Sequence, residues 1–418
     1  MNLSLKSSIV SLQSTIAITG SKSETNRLLL LQALYPNLQL ENTSNSDDSD
    51  VMTKALLVSQ LPTSNPQLID VHHAGTAMRF LTAYFAIQEG NEVVLTGSAR
   101  MKERPIKILV DALQQLGAEI SYEGQEGFPP LRIKGKKLSQ SKVSLPANVS
   151  SQYISALLLI APKLQNGIEL TLVGEITSVP YIKMTLSLLN AIGVETSFLN
   201  DTISVKTLSL IPNPLSLKVE SDWSSASYWY SIIALSEIGT QITLSSYKQN
   251  SLQGDAVLID IYRYFGVETI FNGNHSVTIT KKSAHNSQLP TLNAQLNSCP
   301  DIAQTIAVTC FGLGLPCHLT GLHTLKIKET DRLEALKAEL TKLGAHVTVT
   351  NDSLTLSQSE NINPNISIKT YQDHRMAMAF APLALKVPIV IEEAEVVSKS
   401  YPTFWEDLKS VGFSVVEE

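Results

Sequence analysis

Apolar residues recur along this chain at three- and four-residue steps, in blocks that end at a glycine and pass into a short extended run. IKETDRLEALKAELTKLG carries Leu333, Leu336, Leu340 and Leu343 in helical register, which predicts a helix closed by Gly344. YQDHRMAMAFAPLAL predicts a second helix with Asp373 as its N-cap. Others are predicted where HAGTAMRFLTAYFAI follows Gly75, where ISALLLIA follows Ser150, Ser151 and Gln152, and where GSKSETNRLLLLQAL offers Ser21 and Glu24 as a capping box. The junction from helix to glycine to strand repeats as LGAEI, IGVET, FGVET, LGAHV and VGFSV. Gly117, Gly193, Gly266, Gly344 and Gly412 follow one another at intervals of 76, 73, 78 and 68 residues. Glycine at that point supplies the left-handed C-cap that lets a helix turn back into a strand. Such a period fits the chain about six times. The first copy, expected near Leu61, has lost its glycine. Units of this length are too long for a solenoid and suit small alpha/beta modules, each burying a helix against a sheet.

Reactive side chains gather where these helices begin. Lys328, Glu329 and Arg332 crowd the expected first turn of one helix, and His374 and Arg375 directly follow Asp373. Lys22 and Ser23 open the N-terminal helix with Arg27 one turn further on the same face. Gly75 allows close backbone approach, with Thr76 and Arg79 behind it, and Arg100, Lys102 and Arg104 lie within five positions before Pro105. Cations gain nothing from the positive end of a helix dipole, so a bound polyanion accounts for their placement better than capping does. Asp301 stands out as the carboxylate at such a start with no cation adjacent in sequence.

Composition narrows the alternatives. A chain of 418 residues with 43% hydrophobic content can bury large cores and is expected to form two or three domains. A net charge of −6 removes a global case for nucleic acid or an anionic membrane, so the clustered cations serve local purposes. Cys299, Cys310 and Cys317 are expected to be buried thiols in a reducing compartment. No apolar run reaches membrane length, no signal peptide is expected, and no metal-ligand spacing, phosphate-binding GxxxxGK[ST] loop, dinucleotide GxGxxG or GxSxG elbow occurs.

In order and separation, GSKSETNR, AGTAMR, RMKERPI, SSQYISALLL, KETDRLEAL and YQDHRMAM resemble the signatures of the EPSP synthase family, the 3-phosphoshikimate 1-carboxyvinyltransferases, from about Ile16 to Phe404. The resemblance implies an alpha/beta (α+β) fold of two globular domains, each of three βαβαββ units, an inside-out α/β barrel. One domain would comprise residues 1–19 plus 220–418 and the other 20–219, with the site in the cleft between them. It also implies enolpyruvyl transfer from phosphoenolpyruvate to the 5-hydroxyl of shikimate 3-phosphate, with no cofactor and no metal.

By the same resemblance the catalytic residues are Asp301, Glu329 and Lys22. Shikimate 3-phosphate would meet Lys22, Ser23, Arg27, Ser150, Ser151, Gln152, Ser178, Tyr181, Asp301, Thr324 and Lys328. Phosphoenolpyruvate would meet Lys22, Gly75, Thr76, Arg104, Gln152, Arg332, His374, Arg375 and Lys399. A cytoplasmic monomer is implied, with small-molecule substrates as its partners and neither nucleic acid nor membrane. Gly20, His73, Phe80 and Thr324 depart from the family's usual residues; His73 and Thr324 each stand where an amide is usual and are expected to tune affinity. The alternatives are the UDP-N-acetylglucosamine carboxyvinyltransferases, whose loop cysteine is missing from Ala99 to Pro105 here, and a catalytically inactive ligand-binding relative.

Overall fold

At each of the five repeating junctions the glycine adopts a φ between 77° and 102°, which a side chain would resist. The N–H of Gly117 donates to Gln114 O and that of Ala118 to Leu113 O, both at 2.9 Å, so two of the last helical carbonyls are satisfied as the chain reverses. The same pair of bonds recurs at Gly193–Val194 and at Gly344–Ala345, each at 3.0 Å. A computed structural model describes residues 1–7, 13–58, 66–147, 150–176, 179–283 and 291–418. The chain divides into two compact units, Met1–Gly20 with Glu220–Glu418, and Ser21–Val219. Gly20 bridges to Ser221 and so belongs to the first unit.

Every repeat but the first reads strand, helix, strand, helix, then a hairpin among the described residues. In the second unit, strand Gln67–Asp70, helix Gly75–Ala86, strand Glu92–Thr96, helix Lys107–Gln115 and strands Glu119–Tyr122 and Leu131–Lys134 make one such module. Its first two strands pair in parallel, and the hairpin adds on through antiparallel pairs. Lys142–Pro146 through Thr202–Val205 repeat that sheet order. Among the described residues the sheet of the degenerate first copy is a two-stranded parallel pair, Leu38–Glu41 with Leu215–Lys218, and residues around Leu61 lie outside the described set.

Three sheets of the same order form the first unit. In the last of them, strand Leu3–Ser7 lies between Ile389–Ile391 and Phe413–Glu417 and completes a module whose other strands come from the far end of the chain. Each unit has its own apolar cluster. The first helix of each repeat in the first unit is buried on every side: all residues of His374–Phe380 and, apart from Ser224, of Trp223–Leu235 are covered, as is Ala303–Phe311. Such all-round burial identifies them as core helices. Their N-terminal ends are the places where the polar chemistry is mounted. Among the described residues no helix is long and apolar enough to cross a membrane, and all three cysteines are buried free thiols.

Candidate active site

Asp301 is the hub of the first unit's polar cluster. Arg332 Nη1 donates to its Oδ1 at 2.8 Å, Arg375 Nη2 lies 3.3 Å from Oδ2 and Nη1 3.1 Å from its backbone oxygen, and Lys328 Nζ stands 3.6 Å away. The absence of a cation beside Asp301 in the sequence was therefore misleading: its partners arrive from 27 to 74 residues downstream, through the repeat. Burial alone would raise its pKa. Arg375, Lys328 and Arg332 outweigh that and hold the carboxyl well below the usual carboxylate range.

Arg332 is itself 2% exposed and spends each guanidinium nitrogen on a different carboxylate. Besides Asp301, Nη2 donates to Glu329 at 2.8 Å and Nε to Asp373 at 2.6 Å. Burial opposes its charge, but Asp373, Glu329 and Asp301 together push its pKa up, so it stays a cation. Lys328 and Glu329 were expected in the first helical turn; they precede it. The helix starts at Arg332 because the Asp331 carboxylate caps the N–H groups of Leu333 and Glu334, at 3.2 and 3.3 Å.

Asp373 is an N-cap as expected, accepting from Arg375 N at 2.8 Å, and it is wholly buried. His374 packs beside it with Nδ1 3.9 Å from Asp373 Oδ1. Lys399 comes to the same corner, donating to Gln372 O at 2.8 Å. Thr324 lies in the turn His323–Ile327, and its hydroxyl is buried with no hydrogen-bond partner among the described residues.

The second unit mounts its own set on its helix starts. Gly75 and Arg104 are in contact: a Cβ at Gly75 would fall 2.6 Å from Arg104 Nη1, so the missing side chain is what admits the guanidinium. Gln152 Nε2 donates to Thr76 Oγ1 at 3.0 Å, tying the starts of Gly75–Ala86 and Ser151–Ile160 together. Ser150 caps the latter helix through Gln152 N. Arg79, which the sequence placed among the anion-facing groups, turns inward instead. It is 4% exposed and braces the loop by donating to Gly75 O and Pro105 O, at 3.1 and 3.2 Å.

Lys22 Nζ pairs with Asp48 Oδ2 at 3.2 Å, and His73 Nε2 is 4.0 Å from the other oxygen. Arg27 is buried among Ser23 O, Ser155 Oγ and Thr185 Oγ1, at 2.7 to 2.9 Å, with Tyr181 and Phe80 rings 5.9 and 5.4 Å from its Cζ. Burial lowers its pKa to about 10, still a cation at neutral pH. The capping box expected at Ser21 does not form. Ser21 occupies the N-cap position, but its side chain makes no cap bond, so the first-turn N–H groups of Lys22–Leu34 are not covered by it. Ser178 lies outside the described residues.

Three carboxylates escaped the sequence reading. Asp48 sits in the acidic run NSDDSD, which reads as a solvated helix start, yet it is 7% exposed and holds Lys22. Asp222 caps Trp223–Leu235, and Asp255 lies behind Ser224. The repeat was the available signal for both: each repeat's helix starts carry the chemistry, and these are the helix starts of the fourth copy. Among the described residues no group of His, Cys, Asp and Glu is arranged to hold a metal ion.

A family profile described as EPSP synthase (3-phosphoshikimate 1-carboxyvinyltransferase) matches residues 35–408. A Bacteroides fragilis 3-phosphoshikimate 1-carboxyvinyltransferase is 45% identical over 411 residues, covering 97% of this chain and 96% of its own. The protein of that name from Shewanella pealeana is 35% identical, with 95% and 96% covered. Among solved structures, an EPSP synthase from Acinetobacter baumannii superposes with a TM-score of 0.79 at 21% identity, with all of both chains covered. At that identity the likeness speaks for the fold.

Proposed function

The chain belongs to the EPSP synthase (3-phosphoshikimate 1-carboxyvinyltransferase) family, a transferase of the shikimate pathway to chorismate and aromatic amino acids, and from that membership we infer which of its residues move the enolpyruvyl group. Asp301 accepts the proton of the shikimate 3-phosphate 5-hydroxyl as that oxygen attacks C2 of phosphoenolpyruvate. Glu329 gives a proton to the methylene carbon in the same addition. Elimination then returns the methyl proton to Glu329 while the C2–O bond to phosphate breaks, with Lys22 stabilising the departing phosphate. The observation that supports this most is the meeting of Asp301 and Glu329 on one guanidinium, Arg332, with Lys328 and Arg375 against the same carboxylate. Two carboxylates with opposite proton tasks are thereby held a fixed distance from shared positive charge.

Binding follows the anionic groups. Arg332, Arg375, His374, Lys399 and Arg104, with Gly75, Thr76, Gln152 and Lys22, serve phosphoenolpyruvate. Ser23, Arg27, Ser150, Ser151, Ser178, Tyr181, Thr324 and Lys328 serve shikimate 3-phosphate, together with Lys22, Gln152 and Asp301. Guanidinium forks suit both phosphate and carboxylate geometry. The family resemblance also supports a cytoplasmic monomer.

Phosphate release from phosphoenolpyruvate tests the proposal, run with shikimate 3-phosphate and separately with UDP-N-acetylglucosamine. Release is expected with the first alone, and Glu329→Gln should cut it about a hundredfold. Release with the nucleotide sugar alone would move the chain to the sister activity. Turnover unchanged in the variant would remove Glu329 from the proton path.

Gly75→Ala gives a second check. A methyl group there must push the Arg104 guanidinium aside, and the guanidinium, as the free end of a long side chain, can yield without unfolding the helix. KM for phosphoenolpyruvate should rise about tenfold, the worth of roughly one charged hydrogen bond, while the urea midpoint stays at the wild-type value.

A further inference from the structure

In the first unit each repeat mounts polar groups at two places, the start of its first helix and the approach to its second. The fifth repeat places Asp301 and then Lys328 to Arg332; the sixth places Asp373 to Arg375 and then Lys399. Both pairs are used in the proposed reaction. The fourth repeat has the same two positions filled by Ser224 and Asp255, and neither has a part in it.

The side chains are joined. Asp255 is 4% exposed, and its Oδ2 accepts a hydrogen bond from the Ser224 hydroxyl. Ser224 Oγ in turn accepts from Arg375 Nη2 at 3.3 Å, the same nitrogen that reaches Asp301 Oδ2. The other carboxylate oxygen of Asp255 is buried with no hydrogen-bond partner among the described residues. A buried carboxylate left half-satisfied is costly, so the structure tolerates it for some other return.

We propose that Asp255, acting through Ser224, is a positioning residue for Arg375. An ionised Asp255 can only accept, so the Ser224 proton must point at it, and the serine lone pairs are then turned to Arg375 Nη2. Its Nη2 is held between two acceptors, Ser224 Oγ and Asp301 Oδ2, while Nη1 reaches Asp301 O, and the remaining N–H donors are aimed in a fixed direction. The proposal rests on the assignment of Arg375 to phosphoenolpyruvate.

The charged and titratable groups around this relay are Arg375, Asp301 and Asp222, with the Tyr228 phenol acting on Arg375 and the Cys299 thiol, pushed up by burial and then by Asp255, behind it. Burial, with Asp301 adding to it, raises Asp255 to about 6. Once protonated, its carboxyl can donate, Ser224 is no longer bound to one orientation, and Arg375 loses a fixed acceptor.

Asp255→Asn, Ser224→Ala and the double variant should be assayed in the full-length enzyme from pH 5.5 to 8, with Arg375→Lys as reference. The two single variants are expected to raise KM for phosphoenolpyruvate about five- to tenfold at pH 7.5, with kcat and KM for shikimate 3-phosphate within about twofold of wild type. The double variant should be no worse than either single, because the two residues act in series. The ratio of variant to wild-type KM should shrink below about pH 6, where wild-type Asp255 is itself protonated. Asp255→Asn should also unfold in urea at or above the wild-type midpoint at pH 7.5, since the group it replaces destabilises the fold when ionised. A merely structural carboxylate would do the reverse, lowering the midpoint and leaving KM alone. Unchanged KM in Asp255→Asn, with Arg375→Lys impaired, overturns the positioning role alone. If Arg375→Lys itself binds phosphoenolpyruvate normally, the assignment of Arg375 fails and the relay with it.

Discussion

Asp301→Asn should lower kcat/KM about a thousand- to ten-thousandfold, the largest loss of activity expected from any single substitution in the first unit. The amide keeps the size of the side chain and one of its two acceptor oxygens, enough for Arg332 or Arg375 but not both, and it cannot carry away the hydroxyl proton. The geometry adds a condition on how the carboxylate does so. With Arg375, Lys328 and Arg332 around it, Asp301 is held well below the usual carboxylate range and is a poor base. On the proposed binding roles, phosphoenolpyruvate and shikimate 3-phosphate would bring phosphate and carboxylate charge to the same cations, and neutralising them would let the carboxyl rise towards its ordinary value. Base strength is thus expected to appear with the substrates. Single-turnover measurements on the variant, saturated with both substrates, check this: a chemical step slower by that factor with binding retained supports the role. A variant that turns over normally removes it.

Arg332→Met is expected to cost about 3–5 kcal/mol of stability at neutral pH, because it strips the shared cation from three carboxylates, one of them wholly buried. The pH dependence has a definite sign. In the wild type the depressed pKa of Asp301 contributes stability that is present above the ordinary carboxylate value of about 4 and is lost only as pH falls through the lower folded value. Without Arg332, protons take over part of the lost cation's task. The variant should therefore recover as acid is added, and its deficit should be largest near pH 7 and shrink towards about pH 4. Urea unfolding of both proteins across that range gives the answer. A deficit independent of pH would mean that Arg332 stabilises the unit by packing alone.

Much of this arrangement could be read from local sequence, and the rest was hidden for identifiable reasons. The helix-ending glycines were legible because a left-handed residue followed by an extended run leaves a mark within five positions. Asp373 was legible as a cap for the same reason. Asp331 was not, since Lys328 and Glu329 share the helical register that the chain abandons at the cap. The partners of Asp301 could not be seen: Lys328, Arg332 and Arg375 reach it through tertiary contacts across two repeats. Arg79 was misjudged because spacing places a side chain on a face without saying whether that face meets solvent or core. Asp48, Ser224 and Asp255 were passed over as ordinary polar residues, although their counterparts in other repeats had already been singled out.

The strand Leu3–Ser7 lies between strands made almost 400 residues later, whereas Ser21–Val219 is a compact unit of one continuous stretch of chain. During synthesis the second unit can therefore gather its core as soon as residue 219 has cleared the ribosome. The strand Leu3–Ser7 must wait for Ile389–Ile391 and Phe413–Glu417 to be translated before it can pair. A ribosome stalled between these points would display one finished globule beside an incomplete one whose N-terminal strand, Leu3–Ser7, still lacks both neighbours.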